Sequence, residues 1–167
     1  MNKKSAFDMA VGKLNYRMRT EKEIRTALIG AEYEMPEIDE TIEKLIEYGY
    51  INDENYIREF FKYSKGRNLS DKRILSELEL KGINAALSRE VIEDFRDSEE
   101  FQSDWEDASL ALKIAEKMRK EQMALGKPID RAFQAKVGRR LASLGYSQSI
   151  CFDAIRKVSE KNDDGEI

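Results

Sequence analysis

Shifted by 50 residues and laid against itself, the chain repeats without a gap. Thr20 falls on Ser70, Ile24 on Ile74, Leu28 on Leu78 and Tyr33 on Ile83. Upstream, Phe7 meets Ile57, Val11 meets Phe61 and Arg17 meets Arg67. Downstream, Thr41, Ile42 and Leu45 meet Val91, Ile92 and Phe95. A further shift of 63 lays Val137, Leu141 and Tyr146 on Ile74, Leu78 and Ile83, and Ala154, Ile155 and Val158 on Val91, Ile92 and Phe95. The matched positions are mostly apolar and three or four residues apart, the spacing of a helix's buried stripe. A chain of this kind folds as similar units, each burying its apolar face against its neighbours.

Each repeat reads as three helices. The pattern predicts them at about 5–17, 21–31 and 36–48, then 54–65, 71–81 and 85–96, then 103–122, 129–144 and 148–160. The fold class expected is all-α, three tandem three-helix modules with about nine helices. Their bounds are 1–50, 51–100 and 101–160, with 161–167 an acidic disordered tail. Only two prolines and nine glycines occur in 167 residues, too little turn chemistry for a sandwich or barrel.

The caps agree with the helices. Thr20-Glu21-Lys22-Glu23 is a capping box, and Ser70, Asn84 and Ser147 stand at other helix starts. Gly82-Ile83 and Gly145-Tyr146 read as a stop glycine followed by an apolar residue. In the first repeat Glu32 stands where that glycine belongs, so either Glu32 turns left-handed or the helix ends early at Gly30. Gly49 is expected to end one helix and Asp53 to cap the next.

Composition excludes several chemistries. There is no histidine, so Ser-His and Cys-His catalysis and imidazole ligation are out. The single cysteine, Cys151, forms neither an internal disulfide nor a zinc cluster; a buried, inert thiol is expected. Gly126-Lys127 lacks the earlier glycine of a phosphate-binding loop. No apolar run approaches membrane length, and Asp8 and Lys13 interrupt any leader core. A cytoplasmic, monomeric, non-enzymatic protein without cofactor or metal is expected, and Trp105 is expected in the core of the third module.

Charge is unevenly laid out. Seven cations stand against three acids in residues 1–30, two against ten in 31–60, and one against eight in 91–107. Residues 108–140 swing back, with nine cations against three acids. The basic clusters flank the starts of the second helices: Arg17, Arg19, Lys22 and Arg25; then Lys65, Arg67, Lys72 and Arg73; with Arg139 and Arg140 on the third. Guanidinium groups beside helix starts favour phosphates or carboxylates, so these ten are the candidate partner or nucleic-acid contacts. The competing role for each is an ion pair with the fold's own acids.

Leu14-Asn15-Tyr16-Arg17-Met18-Arg19-Thr20, followed by Glu23-Ile24, resembles the opening motif of the RecX family, regulators of the recombinase RecA. Gly49-Tyr50-Ile51-Asn52-Asp53 resembles its Gly-Tyr-Leu-Asp-Asp junction. Arg73-Ile74, Glu77-Leu78 and Lys81-Gly82-Ile83 resemble its central pattern, and Gly145-Tyr146-Ser147 the Gly-Phe-Ser of its last module. Two departures concern loops: Gly66-Arg67-Asn68-Leu69 replaces a Gly-Pro-like turn, and Ala31-Glu32-Tyr33 a Lys-Gly-aromatic end. The resemblance implies an elongated, curved array of three modules. It also implies a partner, the RecA nucleoprotein filament, whose growth, ATP hydrolysis and strand exchange are restrained, and with them homologous recombination and SOS signalling. It leaves direct contact with DNA open. The alternative is a nucleic-acid-binding transcription regulator using one module as a helix-turn-helix; the acidic net charge of −4 weighs against it.

Overall fold

The computed structural model describes residues 4–160, so the tail at 161–167 lies outside the described residues. Within them the chain is all-α, with nine α-helices and one short 3-10 turn. In chain order these are α1 (Ala6–Tyr16), α2 (Glu21–Gly30), α3 (Met35–Glu47), α4 (Asp53–Gly66), α5 (Asp71–Leu80), α6 (Ala85–Arg96), α7 (Asp107–Ala124), α8 (Arg131–Ser143) and α9 (Gln148–Glu160). The third triplet differs from expectation at its start. Ser103–Trp105 form a separate 3-10 turn, and α7 begins at Asp107. Trp105 is only partly buried, its ring edge-on to Phe101 at 6.2 Å.

Two compact units are present. Among the described residues the first runs to Phe61 and takes in Leu75–Phe95, and the second takes Lys62–Ile74 and the chain from Arg96 onward, so α4, α5 and α6 contribute residues to both. The first unit is built on Ala6, Ala10, Ile24, Leu28, Ile38, Ile42, Leu45 and Ile51, with Phe7, Leu14 and Tyr33 packed partly buried against them. Most of these are stripe residues of α1, α2 and α3, and fully burying each Ile or Leu contributes about 1.5–3 kcal/mol. In the second unit Leu110, Ala111 and Ala115 of α7 are buried, as are Phe133, Val137 and Leu141 of α8 and Ala154 and Val158 of α9.

The repeat is visible in hydrogen bonds. Each second helix ends with the amide five residues on returning to the same carbonyl: Tyr33 to Leu28, Ile83 to Leu78 and Tyr146 to Leu141. That closure needs a left-handed residue just before it. Gly82 and Gly145 supply it with φ of 87° and 93°. Glu32 supplies it with φ of 60°, although α2 also ends at Gly30, so the first repeat keeps the turn without the glycine. Gly49 ends α3 in the same way, with φ of 73°. Asp53 does not cap α4: the cap is Asn52, whose Oδ1 accepts from the Asn55 amide at 2.8 Å. Asp53, one residue later, is free to face another helix.

Candidate functional site

In the first unit the start of α2 meets the end of α5. Thr20 closes its capping box, its hydroxyl accepting from the Glu23 amide while Glu23 Oε2 accepts from the Thr20 amide at 3.0 Å. The same hydroxyl donates to the Lys81 carbonyl at 2.8 Å, so one side chain caps its own helix and satisfies the last turn of another. Asp53 Oδ1 accepts from the Glu21 amide at 3.3 Å, a second carboxylate over the α2 start. Burial pushes the Asp53 carboxyl up, and the Glu21 and Glu23 charges add to it. The approach is close: a Cβ on Gly82 would lie 2.0 Å from the Lys22 Cδ.

In the second unit the start of α5 meets the end of α8 by the same plan. The Ser70 amide donates to the Leu144 carbonyl at 3.1 Å, and Ser70 Oγ accepts from the Arg73 amide at 3.2 Å. Asp107, at the start of α7, accepts from the Asp71 amide at 3.1 and 3.2 Å, the counterpart of Asp53. A Cβ on Gly145 would lie 2.6 Å from Ser70 Oγ and 2.7 Å from Arg73 Cβ. Second helices are thus laid head to tail at both places, the positive end of one dipole on the negative end of the other.

The second joint also holds a charge cluster. Lys65 is fully buried, its Nζ 2.6 Å from Asp71 Oδ1 and 2.7 Å from Asp107 Oδ1. Arg96 pairs with Asp71 on one side and with Glu106 at 2.9 Å on the other. Burial raises the Asp107 carboxyl above its ordinary value; Asp71 adds to the shift and Lys65 opposes it. The Tyr146 hydroxyl donates to the Asn68 carbonyl at 2.8 Å. Burial, then the Asp107 and Asp71 charges, hold that phenol far above the ordinary tyrosine range.

This placement corrects one of the ten candidate cations. Lys65 is buried between two aspartates and faces no partner, because its ammonium neutralises acids the joint needs. The sequence carried the signal: Lys65 follows Ile57 and Phe61 at four-residue steps along the buried stripe of α4. The other nine are exposed or half-buried. Arg17 is held by Glu23 at 2.9 Å and by the Met18 carbonyl. Arg25 bridges Asp39 and Glu21, and Arg19 Nε reaches the Lys13 carbonyl at 3.3 Å. Arg67 lies over the Tyr63 ring at 5.6 Å, so it does not reproduce the environment of Arg17 despite the repeat. Lys22 lies along Gly82. Lys72 and Arg73 are exposed and each has an interaction within the fold. Arg139 and Arg140 are exposed on α8. Among the junction residues, Tyr50 is half-exposed and edge-on to Phe7 at 6.3 Å, and the Lys81 ammonium sits over the Phe60 ring at 5.5 Å. Cys151 is half-buried rather than buried, with burial raising its thiol.

Among the described residues no group of three His, Cys, Asp or Glu is placed to hold a metal ion, and no helix is long and apolar enough to cross a membrane. Fold and site together define a class: an all-α protein of repeated helix triplets, jointed through helix ends and presenting charge. The chain belongs to the RecX family. The family model described as RecX, first three-helix domain, matches residues 6–45. The chain is 31% identical over 163 residues to the regulatory protein RecX of Bacillus velezensis, covering 96% of this chain and 58% of that protein. It is 35% identical over 142 residues to the regulatory protein RecX of Clostridium beijerinckii, covering 84% and 62%. The chain therefore spans less than two thirds of the length of these relatives. A crystal structure of RecX from Lactobacillus salivarius superposes with a TM-score of 0.74 at 23% identity, covering 93% of this chain and 95% of that one, which is a likeness of fold.

Proposed function

We propose that the chain is a non-enzymatic regulator of homologous recombination and the SOS response, a cytoplasmic monomer that binds the RecA–DNA filament and restrains its growth, ATP hydrolysis and strand exchange. One observation carries this reading: the likeness to proteins named regulatory protein RecX over nearly the whole chain, at 31% identity. The jointed helix ends and the exposed cations support it. A protein built by repetition suits a partner that is itself a charged, repeating assembly. The cations available to such a partner are Arg17, Arg19, Lys22, Arg25, Arg67, Lys72, Arg73, Arg139 and Arg140, with Lys65 removed by its burial. The test measures RecA's DNA-dependent ATP hydrolysis as this protein is titrated in, with co-sedimentation on filaments in parallel. The expected result is a falling rate at stoichiometric addition, with the protein in the pellet. An unchanged rate together with no co-sedimentation ends the reading.

A further inference from the structure

Three aromatic rings meet at the surface of the first unit, beside the end of α3. Tyr48 is 62% exposed and Tyr50 48% exposed. Both rings stand edge-on to Phe7 of α1, at 6.2 and 6.3 Å. Elsewhere the chain covers such rings with its own cations: Arg67 lies over Tyr63 at 5.6 Å, and Lys81 over Phe60 and Arg96 over Phe101 at 5.5 Å. Among the described residues no cation lies over Tyr48 or Tyr50.

Beside these rings opens a cleft of about 340 Å³, lined chiefly by Phe7, Tyr48, Glu37, Glu40 and Lys44. Glu37 Oε1 accepts from the Ala6 amide at 3.1 Å, which fixes that carboxylate against the start of α1. Glu40 holds the Lys44 ammonium at 2.6 Å, but both side chains are well solvated, and a pair of that kind is weak and exchangeable. Glu43 and Glu47 continue the acids along α3, three and seven residues beyond Glu40, and among the described residues neither forms an ion pair. Residues 31–60 as a whole carry ten acids against two cations. Such a face repels phosphate and draws cations. The rings select among cations. A guanidinium is planar, stacks on an aromatic face and meets a carboxylate through two parallel hydrogen bonds, whereas an ammonium is a compact point charge. The cleft is at the small end of ligand sites, so it takes a side chain rather than a helix.

We propose that the cleft between Phe7 and Tyr48 is a docking site for an arginine side chain presented by a basic segment of a partner protein. Glu37 and Glu40 take the guanidinium edge and Tyr48 its face, and the arriving arginine displaces Lys44 from Glu40. The interaction belongs to the isolated chain, so it stands whether or not the filament reading does. The test is fluorescence anisotropy of a labelled octapeptide of alternating arginine and glycine, titrated with the protein at moderate salt. Tyr48→Ala should weaken binding about two- to fivefold, the range of an exposed cation–π contact, and Tyr48→Phe should restore it. Glu37→Gln combined with Glu40→Gln should weaken it at least as much. Lys44→Gln should tighten it, because the resident competitor is gone. Tyr63→Ala, at a tyrosine already covered by Arg67, should bind as the wild type does. The matching lysine–glycine peptide should bind more weakly than the arginine peptide. Circular dichroism confirms that the variants are folded, as the exposure of Tyr48 and Lys44 requires. No binding by the wild type, equal binding of the two peptides, equal losses in Tyr48→Ala and Tyr63→Ala, or weaker binding by Lys44→Gln would each overturn the proposal.

Discussion

Glu32, Gly82 and Gly145 occupy one structural step, and the two glycines are also approached closely by a neighbour. A side chain at Gly82 would run into Lys22, and one at Gly145 into Ser70 and Arg73. Left-handed backbone and contact act together there, so Gly82→Ala and Gly145→Ala should each cost about 1–3 kcal/mol in urea unfolding. Glu32→Gly relieves left-handed strain but gives up the interaction the Glu32 side chain makes within the fold, so its net change should stay within about 1 kcal/mol of the wild type. Equal losses at all three positions would show that the turns do not differ as described. Lys65 offers a sharper case. Lys65→Met keeps the stem but leaves Asp71 and Asp107 facing each other without their ammonium. The expected cost is about 3 kcal/mol or more by calorimetry at neutral pH, narrowing on acidification as Asp107, left without its ammonium, takes up a proton. A variant that melts with the wild type would make the cluster ornamental.

At the scale of the element, the ends matter more than the middles. The Glu23 carboxyl shows how one end responds to pH. Partial burial pushes it up, but the Arg17 guanidinium and the Thr20 amide outweigh burial and hold it below its ordinary 4.5. A carboxylate held low contributes stability that is present above 4.5 and fades as pH falls through the folded value. Glu23→Gln should therefore lower the melting temperature near pH 7 by the equivalent of under about 1 kcal/mol, since the pair is partly solvated. The gap to the wild type should close as pH drops below 4.5; a gap that persists unchanged would assign the effect to packing. Helix spans and periodic stripes were legible because they are local: α2, α5, α6 and α9 begin at the expected residues. Partners of helix ends were not. Asp53 read as a cap on its own helix, and only folding shows that Asn52 caps α4 while Asp53 reaches Glu21. Likewise, nothing in the sequence near Asp107 says that its amide donor is Asp71, 36 residues earlier.

For the whole molecule, the fold class and the family were both readable in the order of short motifs, because repetition multiplies weak signals. The division of labour among cations was legible only for Lys65, which stands on the buried stripe of α4; elsewhere a positive residue looks the same whether it is matched by Glu23 or left in solvent on α8. Binding to the filament through the solvent-facing set should weaken steadily as salt rises, because such contacts are screened over about 8 Å at physiological ionic strength. Co-sedimentation across a salt series measures this, and a flat response would place an apolar surface at the interface instead.

The borrowed helix caps have a consequence for synthesis. The α2 start is completed by Asp53, 32 residues downstream of Glu21, and the Thr20 hydroxyl by the Lys81 carbonyl, 61 residues downstream. The α5 start waits in turn for Asp107 and for Leu144. As the chain leaves the ribosome, the first two triplets each emerge with the start of their second helix still open, to be closed by residues of the triplet that follows. Structure therefore matures from front to back, one segment behind translation.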